Sequence, residues 1–128
     1  MSGPQATGIG QIAINCADVA RATRFYRDVL GLPLLFEAGG MAFFDCGGTR
    51  LMLTRPSSPD LDHPASPIYF RVHDIEQRMQ TMQAAGASIR RPPQATHRDA
   101  RHELWIGWFE DGEGNLLALM EEKPVGAG

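Results

Sequence analysis

His102 and Glu103 are adjacent side chains of the types that move protons or hold divalent ions. A neutral imidazole can act as a base or a ligand, and a carboxylate can do the same through oxygen. They open the run His-Glu-Leu-Trp-Ile-Gly-Trp-Phe at 102–109, whose aromatic and aliphatic content predicts one long strand. On such a strand His102, Leu104, Ile106 and Trp108 share one face, and Glu103, Trp105, Gly107 and Phe109 share the other. His102 and Glu103 therefore point apart and do not act jointly on one atom. The alternative is that they merely begin a strand or end a mobile loop. Cys16 falls on an apolar parity and reads as a small buried hydrophobe. Cys46 sits beside Gly47 at a hairpin, with no base in evidence to activate it. Neither a dinucleotide glycine fingerprint nor a phosphate loop is present. Among the 12 basic residues Lys123 is the only lysine. Arginine suits bidentate recognition of carboxylate or phosphate. Biased base composition explains the skew more simply, so only an arginine placed in a pocket by pattern counts.

The elements that must position these groups occur twice. Residues 11–15 alternate as a half-buried strand. Asp18 then caps a helix whose buried stripe is Val19, Ala22, Tyr26, Val29 and Leu30. Gly31 and Pro33 end it. Strands follow over 33–38, 41–46 and 49–54, divided by Gly39-Gly40 and Gly47-Gly48. Residues 55–66 are a linker rich in proline, serine and aspartate. The pattern then returns. Ile68, Phe70 and Val72 alternate with Tyr69, Arg71 and His73, and Asp74 opens a second helix with Gln77 in a capping-box arrangement. Strands are predicted over 87–91, 102–110 and 115–121, with a turn at Asp111-Gly112-Glu113-Gly114-Asn115. Residues 92–101 read as a solvated loop, or as a lid over a cleft. The helix starts Asp18-Val19 and Asp74-Ile75 lie 56 residues apart, the offset of an internal repeat. The expected fold class is α+β: one domain over 1–128 of two βαβββ modules, about 9–54 and 67–122. They would form a curved mixed sheet with helices on one face and a cleft on the other.

Composition agrees with this size. For 128 residues, area scaling gives a folded surface near ~6,700 Å² against ~20,000 Å² for the open chain. That is enough burial for a core without staples. Hydrophobic residues at 43% and charged residues at 21% exclude general disorder. No stretch approaches the ~20 apolar residues of a membrane span, and no secretory signal opens the chain. A net charge of −3 argues against a broad nucleic-acid face, and two cysteines make no disulfide framework. A cytoplasmic chain without nucleic-acid or membrane partners is expected.

Strand parity divides the side chains. Ile12, Ile14, Leu51, Leu53, Phe70, Val72, Leu117 and Leu119 should face the helices. The alternates Gln11, Ala13, Asn15, Arg50, Met52 and Thr54 should face the cleft. So should Tyr69, Arg71, His73, Leu116, Ala118 and Met120. This mixture of apolar lining and few polar groups suits a small-molecule pocket. Thr54 and His73, at strand ends, belong to the rim. Arg50 and Arg71 lie either in the pocket or at its rim; pointing inward, they favour a carboxylate or phosphate on the ligand. One tryptophan stacks on a ligand ring, or both pack in the core.

Two segments carry a resemblance. Phe25-Tyr26-Arg27-Asp28-Val29-Leu30-Gly31-Leu32 resembles the helix end of the vicinal oxygen chelate superfamily. Asp111-Gly112-Glu113-Gly114-Asn115-Leu116-Leu117 resembles its final hairpin. That group contains glyoxalase I, bleomycin-resistance proteins, fosfomycin-resistance enzymes, extradiol dioxygenases and methylmalonyl-CoA epimerase. The resemblance covers about residues 9 to 122. It implies a cupped sheet in each half, a metal or ligand site inside, and a homodimer. It further implies a divalent metal held by His, Gln or Glu from the first and last strands of each half. Carried onto this chain, those positions are Gln11, Met52, Pro67 and Ala118. Only Gln11 is a permitted ligand. Methionine is a poor donor to hard ions, and proline and alanine offer no side-chain donor. A catalytic site needs about three protein ligands. Shifting the register by one offers Ser66, Ile68, Leu51, Leu53, Leu117 or Leu119, which does not repair it. Glu121 lies on the opposite strand face from Ala118.

The expectation is a small-molecule-binding member of that superfamily without the usual metal and without a cofactor, akin to its drug-sequestering branch. Its ligand contacts would be Gln11, Asn15, Arg50, Met52, Tyr69, Arg71, Trp105, Ala118 and Met120. The alternative is a lyase, an isomerase or epimerase, or a dioxygenase of the same superfamily, with a displaced or absent divalent metal. Gln11, His102 and Glu103 would be its best catalytic groups. A third reading is a partner-binding domain with a filled cleft.

Overall fold

A computed structural model describes residues 5–125. Module one runs β1 (Gln11–Asn15), α1 (Val19–Arg24), a π-helical turn (Phe25–Val29), β2 (Leu34–Ala38), β3 (Met41–Cys46) and β4 (Thr49–Thr54). One 3-10 turn (Pro59–Leu61) interrupts the linker. Module two runs β5 (Tyr69–Arg71), α2 (Ile75–Ala84), β6 (Ser88–Arg98), β7 (His102–Glu110) and β8 (Leu116–Pro124). The fold is α+β with two βαβββ modules. The strands make two four-stranded mixed sheets, ordered β1-β4-β3-β2 and β5-β8-β7-β6, one in each module. Each module's first strand pairs in parallel with its own last strand. This leaves β1 and β5 as edges, and among the described residues no hydrogen-bonded edge joins the sheets.

The helix-facing parity holds. Ile14, Leu51, Leu53, Leu117 and Leu119 are buried with Tyr26, Phe44, Ile75, Met82 and Phe109 in one cluster shared by both modules. Each such side chain contributes roughly 1.5–3 kcal/mol on burial. Asp18 caps α1, accepting from the Arg21 N–H at 3.0 Å. The helix then widens, Leu30 N–H donating to Phe25 C=O at 2.9 Å. The Arg78 guanidinium from α2 closes that end, donating to the Val29 and Leu30 carbonyls at 3.0 and 2.5 Å.

Two expectations differ from the structure. The capping box of α2 does not form, because Asp74 has left-handed backbone angles (φ 54°) and its side chain makes no cap. Glu121 of β8 takes the role, accepting from the Asp74 and Ile75 amides at 3.0 and 2.9 Å. The segment 92–101 is largely strand and not a loop or lid. β6 extends to Arg98 and pairs with β7 through three register shifts. An edge strand with bulges accommodates Pro92 and Pro93, which have no N–H to donate.

The two segments that carry the resemblance touch. Tyr26 Oη donates to Asp111 Oδ2 at 2.6 Å, and both residues are buried. Asp111 Oδ1 accepts from the Glu113 and Asn115 amides, folding the turn before β8. Asn115 donates to the Asn15 carbonyl at 3.2 Å and accepts from the Ala65 amide at 2.8 Å. Glu113 reaches the start of α1, accepting from Ala17 N–H at 2.6 Å and pairing with Arg21.

Candidate functional site

Each sheet turns one face to its helix, and hollows lie on the other. On sheet one, Gln11 lies beside Arg50 and Ala13 beside Met52 in parallel register. Arg50 Nε donates to Gln11 Oε1 at 2.7 Å, and its guanidinium stands 5.2 Å from the Phe43 ring centroid. Phe43 stacks on Phe36 at 4.5 Å. Gln11 Nε2 donates weakly to Met52 Sδ at 3.8 Å. Ala13, Met41, Met52 and Thr54 then line a hollow of about 390 Å³, walled by Leu61 and His63 of the linker. Asn15 holds that wall, donating from Nδ2 to the Leu61 carbonyl and, at 3.0 Å, to that of His63. Asn15 is thus a staple for the linker as well as a lining residue.

On sheet two the row Tyr69, Ala118, Trp108, Arg91 runs across four strands. Tyr69 meets Trp108 edge to face, centroids 5.3 Å apart. Ala118 lies fully buried in the row between them. The neighbouring row places Arg71 beside Met120, and Met120 beside Ile106. Arg90, Arg91, Trp108 and Leu116 line a hollow of about 280 Å³.

Trp105 is not on this face. It sits opposite Glu121 and packs against the shared core. Its indole N–H donates to Glu103 at 2.8 Å, and Lys123 Nζ lies 4.0 Å from its ring centroid. Trp105 thus lies on the core side of β7, and Trp108 is the tryptophan opposite Ala118. His102 is exposed at the far end of β7, opposite Pro124, where its amide donates to Asp99 at 2.7 Å. Neither His102 nor Glu103 is brought together with Gln11, which lies on the other sheet.

The donor set does not fit a divalent metal. Gln11 Oε1 is held by Arg50, Met52 offers a thioether, Ala118 is buried beside the aromatic pair, and Pro67 has no donor. Among the described residues no group of three His, Cys, Asp or Glu side chains could hold a metal ion.

Two further hollows adjoin these: one shares Asn15, Arg55 and His63 with the hollow on sheet one, and the other is lined by Tyr69, Arg71 and His73. One of about 390 Å³ exposes Cys16, Arg55, His63 and Glu113 beside the linker. Burial, with Glu113 and Asp111 adding, pushes the Cys16 thiol up to about 11, so it is not a nucleophile at neutral pH. Burial alone would raise Glu113; the Arg21 guanidinium and the Ala17 and Asp18 amides more than offset it and hold this carboxyl below its usual range. The other, of about 590 Å³, runs between β5 and the β3–β4 turn at Cys46 and Gly47. Burial, with Asp45 nearby, raises the Cys46 thiol too.

Sequence reasoning missed Trp108 and Arg91. Trp108 was legible: a hairpin closed by the Asp111–Asn115 turn pairs 108 with 118, already assigned to the cleft. Arg91 was not, because bulges in β6 break the parity from which faces are read.

The sequence profile of the Glyoxalase/Bleomycin resistance protein/Dioxygenase superfamily matches residues 8–119. Metallothiol transferase FosB of Staphylococcus epidermidis is 30% identical over 110 residues, covering 86% of this chain and 63% of that protein. The chain thus spans a little under two thirds of that relative's length. Among solved structures, the integron cassette protein VCH_CASS1 from the mobile metagenome of V. cholerae superposes with a TM-score of 0.77 at 18% identity, covering 94% of this chain and 98% of that one. A superfamily member from Sphaerobacter thermophilus DSM 20745 gives 0.75 at 21% identity, with 91% and 98% coverage. At these identities the likenesses show the fold alone. With a match that covers module one and module two into β8, the chain belongs to the glyoxalase/bleomycin resistance protein/dioxygenase superfamily.

Proposed function

We propose that this protein binds a small organic molecule on its hollowed faces without a metal ion. One observation carries the reading: the four positions from which superfamily members draw metal ligands hold Gln11, Met52, Pro67 and Ala118, and the single oxygen donor among them is bonded to Arg50. The faces support it with an apolar lining and few polar groups, as small-molecule pockets have. Gln11, Arg50 and Met52 would contact the ligand from sheet one, and Tyr69, Arg71 and Met120 from sheet two. Ala118, small and buried, would let the Tyr69 and Trp108 rings meet beside it, and Asn15 would hold the linker wall. The test is a thermal-shift screen of chelator-treated protein against aromatic drugs and acyl thioesters. A ligand that binds only the folded state raises the melting temperature. Expected is a rise that added chelator or divalent ions leave unchanged, with the ligand recovered intact. Binding that requires a divalent ion would overturn the reading.

A second reading, favoured by the likeness to a protein named a metallothiol transferase, is an enzyme of this superfamily with a displaced or absent metal. Gln11, His102 and Glu103 would be its groups. It predicts product formation that is lost in His102→Ala and kept in Arg27→Gln, a distant exposed variant.

We also infer a homodimer. The hollowed faces lie on separate sheets, and the edge strand β2 exposes Leu35 and Phe36. A second copy would set one sheet's face against the other's. Light scattering on the eluting protein should give twice the chain mass; a monomer mass would exclude the pairing.

A further inference from the structure

The hollow on sheet two is chemically lopsided in a way that selects a ligand class. Its floor is Trp108, flanked by the edge of Tyr69. Its apolar wall is Leu116, 40% exposed. Two consecutive arginines meet it from β6. They are not equivalent. Arg90 is neutralised by Glu110 at 2.6 Å. Arg91 lies opposite Trp108 in the strand pairing and has no hydrogen-bond or ion-pair partner among the described residues. One flat aromatic surface, one apolar wall and one uncompensated guanidinium therefore share a volume of about 280 Å³. That is at or just below the lower end of ligand pockets, roughly 300–1,000 Å³, and admits one ring or two fused rings. Stacking on an indole favours a planar π-system, and the guanidinium fork matches a carboxylate through two parallel N–H···O bonds.

We propose that this hollow binds a planar aromatic carboxylate, the ring stacked on Trp108 and the carboxylate held by Arg91. The proposal deepens the metal-free binding reading and rests on it. Glu110 also shapes selectivity: by occupying Arg90 it leaves one cationic fork, which suits a singly charged anion rather than a polyphosphate.

The experiment titrates the protein with 2-naphthoate, its neutral analogue 2-naphthamide, and the non-aromatic cyclohexanecarboxylate. Calorimetry gives the affinities, and the two indole N–H resonances, assigned through Trp108→Phe, give the place. Expected is a shift of the Trp108 signal by 2-naphthoate, with the amide and the cyclohexane acid binding about tenfold or more weakly. Arg91→Gln should bring naphthoate down to the affinity of the amide, with no change in melting temperature, since the Arg91 side chain makes no hydrogen bond or ion pair among the described residues. Equal affinity for acid and amide would overturn the proposal, as would a shift confined to Trp105. If neutral or cationic compounds of the wider screen bind and naphthoate does not, the ligand class falls and metal-free binding stands. If no compound of any class binds, both fall.

Discussion

Tyr26 and Asp111 come from different modules, yet each leaves the other with a satisfied polar group in the core. Burial, together with Asp111, raises the phenol far above its ordinary range, so it donates at every pH the fold survives. Tyr26→Phe removes the donor and leaves a buried carboxylate oxygen short of one bond. The expected cost is about 1–3 kcal/mol in urea unfolding at pH 7. Glu113 provides a pH-dependent counterpart. Its carboxyl is held below its unfolded value near ~4.3. Its contribution is therefore full above that unfolded value and is lost as pH falls through the lower folded one. The stability gap between the wild type and Glu113→Gln should be widest at neutral pH and close toward pH 3. A gap constant across that range would show that the charge of Glu113 plays no part. Cys16 and Cys46 both have raised thiol pKa values. Iodoacetamide at pH 7.5 should label them slowly in the folded protein and fast in denaturant, as mass spectrometry would read.

At the scale of elements, α2 lies close enough to β7 that a side chain on Gly107 would require its neighbours to move. A Cβ there would meet Met79 Cε at 2.5 Å and the Pro93 backbone nitrogen at 3.3 Å. Met79 can swing its terminal methyl only within a packed core, and Pro93 belongs to the bulged strand. Gly107→Ala should cost roughly 1–3 kcal/mol by overpacking. Unchanged stability would mean that β6 yields freely. The same bulged strand marks the limit of what the sequence reveals. Strands with strict alternation, such as Gln11–Asn15 and Thr49–Thr54, are legible to the residue because apolar side chains at period two admit one pairing face. β6 beyond Arg91 is hidden behind Pro92 and Pro93, and with it the face that Arg91 takes. The cap of α2 is hidden as well, because its carboxylate, Glu121, is tertiary and 47 positions away from Asp74.

At the scale of the molecule, one core serves both modules while the two hollowed faces stay apart. Stability thus resides between the helices and sheets. Among the described residues no helix is long and apolar enough to cross a membrane. The repeat, the element order and most of the lining were legible because they follow from local periodicity. The contacts that join the modules through Tyr26, Asp111 and Arg78 were not, because they pair residues far apart in the chain. The proposal of a superfamily fold that binds its ligand without a metal turns on the donor set at Gln11, Met52, Pro67 and Ala118. Elemental analysis of untagged protein, purified without chelator and then offered divalent ions at neutral pH, tests it most directly. The account predicts far less than one ion per chain, before and after the offer. About one tightly held divalent ion per chain would contradict it.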